Sequence, residues 1–206
     1  MLADERRVDA VIPPLTASGA LPPYTGSEPH IRTLCSPYRA SLSELSGAFA
    51  NTPDRRVLLT GFLDYRNALR TVGIIDGFQL VDGSFTEDCE ARRGLPPSDI
   101  DVVTFALLPV PRPETLAFMG ANAALFSPAA TKAAYKCDAY FIDLGKPSRL
   151  IAEDTMYLFG LFSHQRVTAL WKGMVRVPLI SDDDAVRAAL VAHALAPPPA
   201  HAGPPP

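Results

Sequence analysis

The sequence predicts a mixed α/β (α+β) fold in which a small central sheet is flanked by helices. Two kinds of segment predict it. Asp99–Leu108 is a β-branched, apolar run of the kind that forms a buried strand. Leu58, Phe62, Tyr65, Leu69 and Val72 recur three and four residues apart, which makes one apolar helical face. The two kinds alternate along the chain without an internal repeat, the order expected of a sheet covered by helices. A chain of 206 residues suits one domain, and 48% apolar with 20% charged residues is ordinary for a protein that buries a core.

Three parts follow from composition. Residues 1–50 read as an extended, proline-rich segment and helix, with Pro13-Pro14 and Pro22-Pro23 early in it. Residues 51–195 read as the folded domain. Residues 196–206, APPPAHAGPPP, read as a disordered, partly polyproline tail, because proline lacks an N–H donor and fixes φ. Both proline-rich ends suit docking of a protein partner.

Within the domain, Thr52-Pro53-Asp54 supplies a capping hydroxyl, a proline at the first helical position and an early acid, and Gly73 is a natural stop. Gly77–Asp82 is a short strand ending at Gly83-Ser84. Phe85–Arg92 reads as a short helix and Gly94-Leu95-Pro96-Pro97 as a loop, before the strand Asp99–Leu108. Pro113–Tyr135 is alanine-rich and helical, with a break at Ser127-Pro128. Asp138–Leu144 reads as a strand, Leu150–His164 as a helix, Leu170–Leu179 as a strand and Ser181–Ala194 as a closing helix with an acidic first turn.

Charge and motifs exclude several functions. A net charge of −3 does not indicate nucleic-acid binding. The N-terminus lacks the apolar core of a signal peptide, and no apolar stretch reaches the ~20 residues that span a bilayer, so the expectation is a cytoplasmic protein without a membrane partner. Cys35, Cys89 and Cys137 form no CxxC pair and read as reduced thiols. No Walker-type phosphate loop, nucleophile elbow or His-Glu-x-x-His is present.

The chemistry-bearing pattern is Gly83-Ser84 followed by Asp99-Ile100-Asp101. Side chains alternate along a strand, so Asp99 and Asp101 share one side with Val103 and Phe105, while Ile100 and Val102 face a core. Two neighbouring carboxylates repel each other, and a divalent cation relieves this, because Mg²⁺ takes hard oxygen ligands, commonly one or two carboxylates plus substrate phosphates. Alone, an Asp-x-Asp tripeptide reads first as a pair of exposed strand-end acids, and a Gly-Ser pair as an ordinary turn. A glycine turn opening a short helix also offers backbone amides and, through Ser84, a hydroxyl to a phosphate. Together the two motifs form a coherent nucleotide site.

The stretch GSFTEDCEARRGLPPSDIDVV resembles the signature of the DNA polymerase β-like nucleotidyltransferase superfamily, especially its minimal branch. The early IPP…LPP segment, DGSF…PPSDIDVV, KCDAYF, YLFGLFSHQR and WKGMVRVPL are similar to a bacterial family of nucleotidyltransferase-like proteins across about residues 10–180. The resemblance implies a nucleotidyltransferase-like domain over 51–195. It implies that Gly83 and Ser84 grip nucleotide phosphates, and that Asp99 and Asp101 bind Mg²⁺ (or Mn²⁺). A third carboxylate on a later strand is also implied, with Asp138 and Asp143 as candidates. Five residues apart, they face opposite sides of an uninterrupted strand; Asp138 is chosen for its place at the strand entrance. The fourteen-residue spacer between Ser84 and Asp99 is longer than in compact members and contains Pro96-Pro97.

The activity implied is transfer of a nucleoside monophosphate from an NTP to an unidentified acceptor (protein, RNA or small molecule), and small relatives of this type occur in toxin–antitoxin and phage-defence systems. The competing readings are a non-catalytic binding or regulatory module with the same fold, and a phosphohydrolase using the same acids. Lys132, Lys136, Arg166 and Lys172 are the cations available to a triphosphate; most such side chains are solvated, and Lys172, within an apolar run beside Gly173, is the preferred nucleotide-binding one. His164 reads as a capping or surface histidine, and Phe162 and Trp171 as core residues.

Overall fold

The computed structural model describes residues 12–166 and 168–195. Among them are five strands, β1 (Tyr38–Arg39), β2 (Gly77–Asp82), β3 (Ile100–Ala106), β4 (Cys137–Asp143) and β5 (Val175–Pro178). The α-helices are α1 (Leu42–Phe49), α2 (Pro53–Thr71), α3 (Cys89–Arg93), α4 (Thr115–Ala121), α5 (Pro128–Tyr135), α6 (Ser148–Phe162) and α7 (Asp183–Leu195). The mixed α/β architecture is therefore as expected. The tail 196–206 and residues 1–11 lie outside the described residues.

The strands form one mixed sheet in the order β1-β5-β2-β3-β4. β1 runs parallel to β5 and β3 parallel to β4, while β2 is antiparallel to both of its neighbours. Residues 12–50 belong to this body: β1 adds an edge strand, Ala20 and Leu21 are buried, and Leu42, Leu45 and Phe49 of α1 enter the main core. Local chemistry explains the helix starts. Ser41 and Glu44 form a reciprocal capping box at α1. The Thr52 hydroxyl accepts from the Arg55 amide with Pro53 in the first turn of α2, and the Ser127 hydroxyl accepts from the Ala130 amide with Pro128 next, which starts α5. The helix expected over Pro113–Tyr135 is already interrupted after Ala121, where a 3-10 turn, Ala123–Leu125, follows.

The strands' two faces meet different cores. Val81, Ile100, Val102, Cys137 and Ala139 join the larger one with Phe62, Leu63, Tyr65 and Leu69 of α2. Leu80, Val103, Phe105 and Ile142 form a smaller one with Leu158 of α6 and Met174.

Three local expectations are corrected. Gly83–Thr86 is a short 3-10 turn, and the helix after it is only Cys89–Arg93. The strand expected over Leu170–Leu179 narrows to Val175–Pro178, because Trp171 pairs back with His164 in a hairpin-like strap instead of joining the sheet. Trp171 is accordingly 60% exposed and is no core residue, whereas Phe162 does pack against the smaller core. Among the described residues no helix is long and apolar enough to cross a membrane, and the three cysteines are free.

Candidate functional site

Strand register sets the site. The antiparallel β2–β3 ladder places Asp82 opposite Asp101, and the parallel β3–β4 ladder places Asp138 beside Asp101. Neighbouring strands lie about 4.8 Å apart, so three carboxylates stand in a row across the sheet. By alternation they share the face of Leu80, Val103 and Ile142, the face that carries the smaller core. Asp143 sits at the far end of β4, in register with Ala106, where its carboxylate accepts from the Gly145 amide at 2.8 Å. Of the two acids weighed for the third position, Asp138 is the one brought to Asp101.

Asp99 lies just ahead of β3 and is 8% exposed. Its carboxylate pairs with the Lys132 ammonium of α5 and accepts from the Ser98 hydroxyl at 3.1 Å. Burial pushes the Asp101 carboxyl up to about 6, with the negative charges of Asp99 and Asp138 adding to the shift. Asp82 is 2% exposed, and burial pushes it up to about 7 against the pull of Lys172. One of its oxygens, Oδ2, is buried without a hydrogen-bond partner among the described residues.

The Gly83–Ser84 turn lies directly against this row. Gly83 has φ +80°, in the left-handed region that favours glycine, and a Cβ there would overlap the Asp101 carboxylate. Only a residue without a side chain lets the backbone pass so close. The short 3-10 turn replaces the expected helix N-terminus, so any hold on phosphate falls to individual backbone amides and the part-buried Ser84, without a helix dipole behind them.

The cations divide sharply. The Lys132 side chain is 52% exposed at the edge of the acids, and Asp99 beside it raises its pKa. Lys172, the lysine preferred from sequence, is only 5% exposed and reaches Glu87 Oε1 at 2.8 Å and Asp82 Oδ1 at 3.2 Å. Its charge serves two acids of the protein, whereas Lys132 keeps an exposed side chain beside Asp99. Among the described residues no interaction joins Lys136, Arg166 or His164 to the row; Lys136 caps α5 in a left-handed conformation and its carbonyl accepts from the Ile100 amide. Arg55 of α2, unmarked in the sequence, is buried behind the turn and donates to the Phe85 carbonyl at 2.7 Å and the Glu87 carbonyl at 2.6 Å. Asp82 could have been found by extending strand parity from Leu80; nothing local marks Arg55.

Asp99, Asp101 and Asp138 are carboxylates, the donor type that hard divalent cations take, and around Asp101 the charges of Asp99 and Asp138 are set against those of Lys172 and Lys132. Among the described residues, however, no group of three or more His, Cys, Asp or Glu side chains is gathered so that it could hold a metal ion.

Fold and site together define an α+β protein with an acid row at one end of a mixed sheet and a glycine turn laid across it. Residues 13–178 match the family described as "Family of unknown function (DUF6932)", and the chain belongs to that family. No curated protein and no solved structure matches it.

Proposed function

We propose that this protein is a metal-dependent nucleotidyltransferase that moves a nucleoside monophosphate from an NTP onto an acceptor. The observation that carries the reading is the contact between Gly83 and Asp101: a turn suited to phosphate is packed on a carboxylate whose register partner on the next strand is Asp138. The fold class and the resemblance of the Gly-Ser and Asp-x-Asp motifs support it further.

In this reading Asp101, Asp138 and Asp99 would hold Mg²⁺ or Mn²⁺, which would supply charge neutralisation at the transferred phosphoryl group. Gly83 lets the backbone pass close to the row, and the Ser84 amide and hydroxyl orient the triphosphate. Lys132, half-exposed, turns from Asp99 towards an incoming phosphate oxygen. The acceptor hydroxyl gives up its proton to solvent, its oxygen forms a bond to the α-phosphorus as the bond to the pyrophosphate oxygen breaks, and pyrophosphate leaves. The protein's share is position and electrostatics.

A second reading, a binding module without turnover, is favoured by the lack of three gathered ligands among the described residues. One experiment separates the two: incubation with labelled NTPs, Mg²⁺ or Mn²⁺ and cell extract, comparing wild type with Asp99→Ala/Asp101→Ala. Transfer by wild type alone supports the enzyme. Nucleotide binding without transfer supports the module, and transfer that survives the double substitution overturns the assigned roles.

A further inference from the structure

We propose that Lys172 is a positioning residue that latches the Gly83–Ser84 turn onto the acid row by holding Asp82, just before the turn, and Glu87, just after it. The inference deepens the nucleotide site and takes its catalytic meaning from that reading, while its geometric content stands by itself.

The latch is built from both directions. On the Lys172 side the backbone is fixed: its amide donates to the Ser163 carbonyl at 2.8 Å, the Gly173 amide donates to the Leu21 carbonyl at 2.8 Å, and the Met174 amide donates to the Ser36 hydroxyl at 2.8 Å. Gly173 is pressed so closely on the Pro22 carbonyl and the Tyr38 ring that a Cβ would not fit. The ammonium therefore projects from an anchored point. On the turn side, Asp82 Oδ1 lies 3.2 Å and Glu87 Oε1 2.8 Å from Nζ, and Gln165 Nε2 of the same strap donates to Glu87 Oε2 at 3.2 Å. The turn closes on itself through Thr86, whose hydroxyl donates to the Gly83 carbonyl at 3.2 Å, and the Asp88 amide ties its exit to the Gly19 carbonyl at 2.8 Å.

This arrangement answers a physical problem. Asp82 is buried next to Asp101, and an unpaired buried charge is costly. Lys172 supplies the counter-charge, which permits an acid at the strand end without drawing the turn away from the row. A lysine satisfied by two acids and 5% exposed does not bind phosphate itself; it fixes the backbone that does.

The test begins with the nucleotide-free full chain and hydrogen exchange read by mass spectrometry. In Lys172→Met, peptides covering 82–93 exchange at least about tenfold faster while those of α2 and α7 keep wild-type rates, the pattern of a local opening. Lys172→Arg recovers most of the protection. In transfer assays the Met variant loses kcat by at least about tenfold with KM for NTP nearly unchanged. If Lys172 instead touched phosphate, KM would rise and nucleotide-free exchange would stay at wild type, which overturns the proposal. Asp82→Asn/Lys172→Met removes both buried charges together. Fast turn exchange in that folded double variant supports the latch, whereas wild-type exchange, or global unfolding of both Met variants, overturns it. Should wild type transfer from no NTP, the enzymatic reading fails while the exchange data still decide the role of Lys172.

Discussion

The two faces of the sheet are built for different work. One presents Val81, Ile100, Val102 and Ala139 to a broad apolar core that gathers α1, α2, α5 and α7. The other presents Leu80, Val103, Phe105 and Ile142 to a small core under α6, and then Asp82, Asp101 and Asp138 where that cover ends. Buried carboxylates weaken a fold, so the comparison teaches that the helical face supplies the stability that lets the other face carry charge.

The largest stability effect should fall on the helical face. Phe62, fully buried in the main core, should cost about 3–5 kcal/mol on Phe62→Ala in urea unfolding, against about 2 kcal/mol for Leu158→Ala under α6. Equal losses would break the comparison. Gly83→Ala comes next, because φ +80° and the overlap with Asp101 are both violated; a loss of about 1–3 kcal/mol is expected, and a neutral result would mean the turn does not lie on the row.

A smaller effect depends on pH. With its carboxyl pushed up to about 6, Asp101 binds its proton more tightly in the folded chain than in the unfolded one. Its contribution is thus present at acid pH and lost as pH rises through about 6, and that of Asp82 is lost through about 7. In metal-free buffer the stability of Asp101→Asn relative to wild type should grow on the order of 1 kcal/mol between about pH 4 and 7. A flat difference would show that the acid is not perturbed. Smallest of all, Met156→Ala on the outer side of α6, where the residue is 67% exposed, should stay within about 0.5 kcal/mol by the same urea assay.

Much of the fold was legible because its signals are local. The Thr52-Pro53 start, the strand Gly77–Asp82 and the break at Ser127-Pro128 are each written in adjacent residues. Strand parity correctly separated Ile100 and Val102 from Val103 and Phe105. What escaped depends on distant partners. Leu170–Leu179 has strand composition, yet the return of Trp171 to His164 takes its first half out of the sheet. The sequence also could not show that Asp82 and Glu87 converge on Lys172. Lys132 is solvated as expected, and its pairing with Asp99 from α5 is the part that sequence could not show. The pairing of Asp138 with Asp101 needed only the parity of two strands, once their register was known.

The central claim is that the acid row and the turn across it form one site for a metal-bound nucleotide. Calorimetric titration of a non-hydrolysable NTP with Mg²⁺ into wild type and Asp101→Asn tests it most directly. The account predicts saturable binding near one nucleotide per chain for wild type and at least about tenfold weaker binding for Asp101→Asn, a difference of about 1.4 kcal/mol. Equal affinity in both proteins, or no heat from wild type with any of the four nucleotides, would contradict it.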